Sequence, residues 1–278
     1  MKQQRRLLDR LRTLDALHDA VTAMKSLSGH HFRVARQALP AARVYRERID
    51  RLLDEVGLPA AVPHEQPRAV FLVSSDLGLC GDYNSRLAAT ASELLANRPG
   101  RVYCVGRRGA RALRRQGFAP DRDYSAATSV EGLQTLLLDV AEDLLDDYAA
   151  GHFGSLVMVS ARLLGTGHFT PGSSQLLPIP SDARPGSSHV SPYVRRATLQ
   201  AVAIREYLFI ALYESLLDAL AAEHGMRLVA TENAEQWLER TTGNVKRQLA
   251  NWRLEAATQE LLDLVAPAMC ASARGNVG

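Results

Sequence analysis

Chemistry-bearing clusters are what this 278-residue sequence lacks. Its three cysteines, Cys80, Cys104 and Cys270, are too few and too scattered for a disulfide framework or a zinc site, and they fit a reducing compartment. There is no Gly-x-Gly-x-x-Gly and no Gly-Lys-Ser/Thr, so neither common phosphate-loop signature is present. No Ser-His-Asp set, paired carboxylates or metal-ligand spacing stands out, so no catalytic residue, metal or cofactor is expected. No apolar run approaches the ~20 residues that cross a bilayer, which excludes a direct membrane span. The N-terminal MKQQRRLLDRL is positively charged but has no apolar core, so it does not read as a secretory signal. With 33 basic and 30 acidic residues and a net charge of +3, the balance does not point to nucleic acid, which calls for a concentrated basic face.

What the sequence does have is helix pattern at both ends. In the first segment Leu7, Leu11, Leu14, Leu17, Val21, Met24 and Leu27 recur at three- and four-residue steps, an apolar seam on one helix face. Gly29 and Pro40 interrupt it, and Pro40 should kink the helix or mark a weak point. Gly57 is a stop signal, with Pro59 beyond. From Tyr193 a second pattern runs through Ile204, Leu208, Leu212, Leu216, Leu220, Val245 and Leu249 and on to Leu254, Ala257, Leu261 and Leu264. At ~1.5 Å per residue its ~70 residues would make a rod of roughly 100 Å. The two stripes bury most simply against each other as an antiparallel pair. The first 51 residues are also rich in arginine, either a solvated face or one that meets an acidic partner.

The middle reads differently. Ala69–Val73 is a short apolar run typical of a buried strand; further strands fall at Arg101–Val105 and Leu156–Ser160, with an edge strand at Gln175–Ile179. Helices between them, at about Tyr83–Ala96, Arg108–Arg115 and Val130–Ala149, make βαβ units around a largely parallel sheet. The rest of 165–192, rich in Gly, Pro and Ser, reads as loop. The expected fold is therefore α/β: a long antiparallel coiled coil of N- and C-terminal helices plus a central Rossmann-like α/β domain. The boundaries are 1–57 for the first helix, 58–67 for a proline-rich linker, 68–192 for the central domain and 193–278 for the second helix.

Gly78-Leu79-Cys80-Gly81 after the first strand and Gly106-Arg107-Arg108-Gly109 after the second are each either an anion-binding turn or a plain strand-to-helix turn. Cys80 has no histidine nearby in sequence to activate it. His30-His31 and His224 read as polar helix-face residues, since a chelating helical pair needs i, i+4 spacing.

Five stretches taken together resemble the gamma subunit of F-type ATP synthases, the rotating central stalk. Ala23-Met24-Lys25 lies where that family has Thr-Lys-Ala-Met-Lys/Glu. FLVSSDLGLCGDYN, from Phe71 to Asn84, resembles its strand and Ser-Asp-Arg-Gly-Leu-Cys-Gly-Gly-Leu-Asn turn. Ser174-Gln175-Leu176-Leu177-Pro178 matches Ser-Gln-Leu-Leu-Pro. DALAAEHGMRLVA, from Asp218 to Ala230, and RLEAATQELLDLV, from Arg253 to Val265, are similar to its two C-terminal helix motifs. Order and spacing hold over essentially the whole chain.

The resemblance implies a left-handed coiled coil whose far end enters the catalytic hexamer of alpha and beta subunits. It implies a central domain that contacts the epsilon subunit and the c-subunit ring, and a place on the cytoplasmic face of the inner membrane as a peripheral part of the complex. By position it makes Met24, Lys25, Arg253, Thr258 and Glu260 contacts to the beta subunits. The departures are Leu254 for Gln beside Arg253, Asp82-Tyr83 for Gly-Leu in the turn, His30-His31 for Ser-Lys, and Ala266-Pro267, where proline should kink or fray the tip. They suggest a diverged bacterial branch, the alternative ATPase type that some bacteria carry beside the main enzyme. Two other readings remain: a Rossmann-like nucleotide-binding enzyme using Asp76–Gly81, with helical arms for dimerisation, and a coiled-coil adaptor of unrelated function.

Overall fold

The computed structural model describes residues 2–57, 67–179 and 194–274. In chain order the elements are α1 (Lys2–Val56), β1 (Arg68–Val73), α2 (Tyr83–Asn97), β2 (Gly100–Val105), α3 (Arg107–Arg115), β3 (Arg122–Tyr124), α4 (Val130–Ala149), β4 (Ser155–Gly165), β5 (His168–Leu177) and α5 (Arg196–Arg274). They divide between two compact units, Met1–Met24 with Thr231–Gly278, and Lys25–Ala230. Residues 58–66, most of the proposed linker, lie outside the described residues, as do 180–193.

The larger unit is built on a five-stranded sheet in the order β3-β2-β1-β4-β5. Its strands are parallel except for the antiparallel β4–β5 pair. Successive residues of β1 serve opposite cores, as the two-residue period of a strand requires. Ala69, Phe71 and Val73 join the side packed by α1, α4 and α5. Val70 and Leu72 join the side packed by α2 and α3. A strand buried on both faces must be apolar throughout, which is why β1 reads as an unbroken run.

Three strands depart from the sequence reading. β3 is only three residues long and mostly exposed, too short to show an alternation. β4 runs on past its expected end and β5 begins seven residues before its expected start, so that they meet at a hairpin in which Gly165 opposes His168. The connecting Thr166-Gly167 puts Gly167 at φ 76°, the left-handed conformation that a two-residue hairpin turn uses. The glycine and proline that made this stretch look like loop sit on an edge strand, where proline is tolerated.

In α1 the buried positions repeat every seven residues: Leu14, Val21, Ser28, Ala35, Ala42, Ile49 and Val56. Phe32, Leu39 and Leu53 form a second series offset by four. This three-four spacing is the left-handed coiled-coil pattern. Leu17 and Leu27, placed on the seam by sequence, fall outside the repeat and are exposed. The helix continues through Gly29 and Pro40. Pro40 and Arg36, whose carbonyl loses its helical donor there, are both on the exposed side, where water can substitute.

α1 and α5 are antiparallel in each unit. In the larger one, Tyr45 donates to Glu206 at 3.2 Å and Arg46 to Tyr207 at 3.0 Å, while Gln200 reaches the Gly57 carbonyl at 2.8 Å. In the smaller one, Thr22 donates to Glu235 at 3.1 Å, and Leu14 and Val21 pack in one cluster with Leu238 and Val245. This register carries the first turn of α1 to about Arg253. The later part of α5 therefore has no α1 opposite it. Leu254 is 70% exposed and Leu261 64%, so the seam expected to continue through Leu254 and Leu261 stops short for want of a partner helix. The helix nevertheless continues through Pro267 to Arg274, with no break at the proline.

Candidate functional site

The densest buried polar cluster lies in the larger unit, where the turn after β1 meets α5. Arg227, one of the largest fully buried side chains, is 1% exposed. Its guanidinium donates from Nε to the Gly78 carbonyl at 2.9 Å and from Nη2 to the Leu77 carbonyl at 3.4 Å. Nη2 also pairs with Glu223 at 2.5 Å, one helical turn back, and Nη1 lies 3.2 Å from Nδ1 of His224. Since Nδ1 accepts from Arg227, the His224 proton is on Nε2, which donates to the Thr128 carbonyl at 3.1 Å, just ahead of α4. The ring of His31 from α1 lies 5.1 Å from that of His224. One helix face thus holds the β1 turn, the approach to α4 and a side chain of α1.

Burial decides the charges here. It pushes the Glu223 carboxyl up to about 7, against the pull of Arg227. It depresses His224 to about 4, with the Arg227 charge adding to the effect. His224 is therefore a neutral buried linker and not the polar surface residue that its sequence context suggested.

The turn itself is held by its own side chains. Asn84 Oδ1 accepts from the Ser75 amide at 3.0 Å, and Asn84 Nδ2 reaches the Cys80 sulfur at 3.2 Å. Burial raises the Cys80 thiol above its usual value, which keeps it protonated and a poor nucleophile. Leu79 adopts φ 57°, an uncommon conformation for a residue with a side chain. Asp76 Oδ1 accepts the Arg107 amide at 2.7 Å at the start of α3. The anion position that Gly106–Gly109 offered is therefore filled by the protein's own carboxylate. The glycines there serve close approach instead: a Cβ on Gly106 or Gly109 would meet Ser74 at 2.6 or 2.1 Å.

Between the strand ends and α5 only a cavity of about 10 Å³ remains, lined by Ser74, Tyr83, Leu133, Leu220 and Glu223 among others. Bound small molecules take hundreds of cubic ångströms. A wider groove of about 590 Å³ lies along β5, but its Arg43 and Arg46 face Glu214 and Asp50 at 3.4 and 3.3 Å. The described residues hold no group of three or more side chains able to ligate a metal.

The five residues assigned to beta-subunit contact fall in two places. Met24 and Lys25 are half-buried on α1. Arg253, Thr258 and Glu260 are exposed on the part of α5 that has no α1 opposite, where the Thr258 hydroxyl donates to the Leu254 carbonyl at 2.8 Å. Arg253 and Glu260, seven residues apart, share a face; Thr258 lies with Leu254 and Leu261 on another. The register set by the Thr22–Glu235 bond places Met24 opposite about Ala234, roughly 30 Å along α5 from Arg253. Sequence reasoning missed Arg227 as an individual residue. The available signal was an acid four residues before an arginine in a stretch otherwise apolar enough to be buried.

The ATP synthase family model matches residues 3–270. The chain belongs to the ATP synthase gamma chain family. Its curated relatives include the gamma chains of Moorella thermoacetica, 27% identical over 96% of this chain and 99% of that one, and of Pelotomaculum thermopropionicum, 25% identical over 95% and 98%. Among solved structures it is similar to a chain of the Euglena gracilis mitochondrial ATP synthase in its OSCP/F1/c-ring assembly, with a TM-score of 0.69, 16% identity and coverage of 100% of this chain and 97% of that one. A chain in the central stalk and c-ring of the Tetrahymena thermophila enzyme gives a TM-score of 0.62, with 19% identity and coverage of 77% and 99%. As a gamma subunit it is a non-catalytic, central-stalk component of a rotary ATP synthase. Among the described residues no helix is long and apolar enough to cross a membrane.

Proposed function

We propose that this gamma subunit couples ion flow through a membrane c-subunit ring to ATP synthesis or hydrolysis in a hexamer of alpha and beta subunits. It does so as a peripheral component on the cytoplasmic face of the inner membrane, with the epsilon subunit bound to its α/β unit. The sheet takes torque from the ring, and α5 delivers it to the catalytic subunits. The single observation that carries this reading is the unpaired end of α5. Leu254, Leu261, Leu262 and Val265 are exposed on a helix whose partner has ended, and a solvent-facing stripe of that kind fits an enclosing protein bearing. Arg253, Thr258 and Glu260 supply polar contacts to beta-subunit loops on this stretch, and Met24 and Lys25 supply further contacts to the beta subunits from α1. No nucleic acid takes part, and the chain holds no cofactor.

Disulfide locking in the assembled complex tests this. A cysteine introduced at Arg253 and paired with one in a beta subunit should stop steady-state ATP hydrolysis, and reducing agent should restore it, because a rotor tied to one catalytic subunit cannot serve the next. A second tie near Lys25 should act in the same way. Full hydrolysis and ion pumping with both ties closed would reject the rotor assignment. The competing nucleotide-enzyme reading would require the purified chain to bind or hydrolyse ATP by itself; the filled strand ends argue that it does neither.

A further inference from the structure

We propose that Arg227 is the positioning residue that keys the sheet to α5, so that torque entering through the sheet turns the helix without slip. The inference rests on the rotor reading above and names the contact that reading leaves unspecified. Apolar packing resists separation of two elements but has little directionality, so a helix can rotate or slide against a greasy face at modest cost. Hydrogen bonds to a planar guanidinium fix both distance and angle. α5 packs on the sheet mainly through Leu208, Leu212, Leu216 and Leu220, which supply area without fixing rotation. Its polar ties to the strands and their turns are fewer. Tyr83 donates to the Ala219 carbonyl at 3.1 Å, and the Leu163 amide donates to Asp218 at 3.3 Å. Arg227 uses several donors at once and reaches two successive carbonyls of one turn.

The position suits the role. Arg227 lies in the last turn of α5 within the 25–230 unit, next to Val229, which lies against Gly167 of the β4–β5 hairpin. The turn it grips is rigid. Asn84 ties it to Ser75 and Cys80, and Asp76 ties it to the start of α3. Glu223 and His224 fix the guanidinium from behind, so the carbonyls meet an oriented fork. Other charged or titratable groups face the cluster from each neighbouring element: Asp76 and Cys80 in the turn, Tyr83 from α2, Arg108 from α3, and His31 from α1. Leu79, at φ 57°, follows immediately after the two gripped carbonyls.

The test uses the whole complex in sealed vesicles, with Arg227→Met, Arg227→Lys and Glu223→Gln in this subunit. ATP-driven ion uptake, read with both proton- and sodium-sensitive dyes, is compared with ATP hydrolysis at zero gradient and against an imposed opposing gradient. Each charge-assisted bond removed should lower the population of the keyed state by about tenfold. Arg227→Met should therefore hydrolyse ATP at close to the wild-type rate without a gradient but lose ion uptake several-fold under load. Arg227→Lys should recover part of the loss, and Glu223→Gln should show a smaller defect of the same kind. A merely structural role would lower hydrolysis and pumping together at every load. That outcome overturns the proposal, as does wild-type pumping under load in all three variants, or failure of all three to assemble. If the wild-type chain itself confers no coupled pumping on the complex, the rotor reading fails, and that result is distinct from failure of the Arg227 assignment.

Discussion

Two stretches of the same helix treat leucine in opposite ways. Between Ala203 and Thr231, α5 is buried on most of its circumference, with Leu208 and Leu217 fully covered and even Arg227, Glu223 and His224 enclosed. Between Leu254 and Val265 the helix shows Leu254, Leu261 and Leu262 to solvent. Both stretches carry the same three-four spacing, so the pattern alone does not tell them apart. The difference is supplied by neighbours. The first stretch has the sheet, α1 and α4 around it; the second has outrun α1. A periodic apolar stripe is a demand for a partner, and the chain meets that demand in the first stretch but not in the second.

The largest effect that would sharpen this contrast is in the core. Leu216→Ala should lower the unfolding free energy of the isolated subunit by about 2–5 kcal/mol, since it removes a fully packed side chain. Denaturant unfolding checks this, and a loss below 1 kcal/mol would show that α5 is loosely seated on the sheet.

The buried pair should give opposite pH signatures. His224 is depressed from 6.5 to about 4, so the unfolded chain binds its proton first; its contribution is present above pH 6.5 and lost as pH falls towards 4. Glu223 is raised from 4.5 to about 7, so its contribution is present below pH 4.5 and lost as pH rises towards 7. Each is about 3 kcal/mol and they oppose each other, so these two groups should leave the wild type nearly flat between pH 4.5 and 6.5. Glu223→Gln should make stability climb with pH across that window, and His224→Gln should make it fall. Slopes of the same sign in both variants would break the assignment.

A smaller effect concerns the start of α3. Asp76→Ala removes the carboxylate that accepts the Arg107 amide and should cost about 1 kcal/mol, measured as a shift in the denaturation midpoint. The smallest effect should come from the far end of α5. Leu254→Ala and Leu261→Ala should change the stability of the isolated subunit by no more than about 0.5 kcal/mol, yet lower ATP hydrolysis by the assembled complex. Equal loss in the isolated chain would mean that these leucines already have a partner within it.

Much of the architecture was legible because it depends on periodicity. α4 follows its helical pattern from end to end, and β1 and β2 are apolar because both faces are covered. β3 was not legible, because three mostly exposed residues carry no period. The extent of β5 was hidden by Pro171 and Gly172, residues that mark loops in most settings but are harmless on an edge strand. Leu17 and Leu27 were misplaced because steps of three and four were accepted in any order, whereas the buried positions keep strictly to seven. The clamp was hidden for a deeper reason. Glu223, His224 and Arg227 look like a polar helix face, and only the approach of a turn from about 150 residues earlier in the chain turns that face inward. Conversely, the exposure of Arg253, Thr258 and Glu260 depends on the register of α1 against α5, which no local window contains.

The carboxylate of Asp76 at the head of α3 has one more consequence. A parallel α/β sheet offers its strand ends to phosphates, and a rotary synthase works in nucleotide-rich surroundings. An open site there would load and unload with the energy state of the cell, and the stiffness of the subunit would drift with it. Asp76 is seated where a phosphate would bind, and the space left between the strand ends and α5, about 10 Å³, is far smaller than a nucleotide. The carboxylate serves there as an internal strut between the β1 turn and the head of α3.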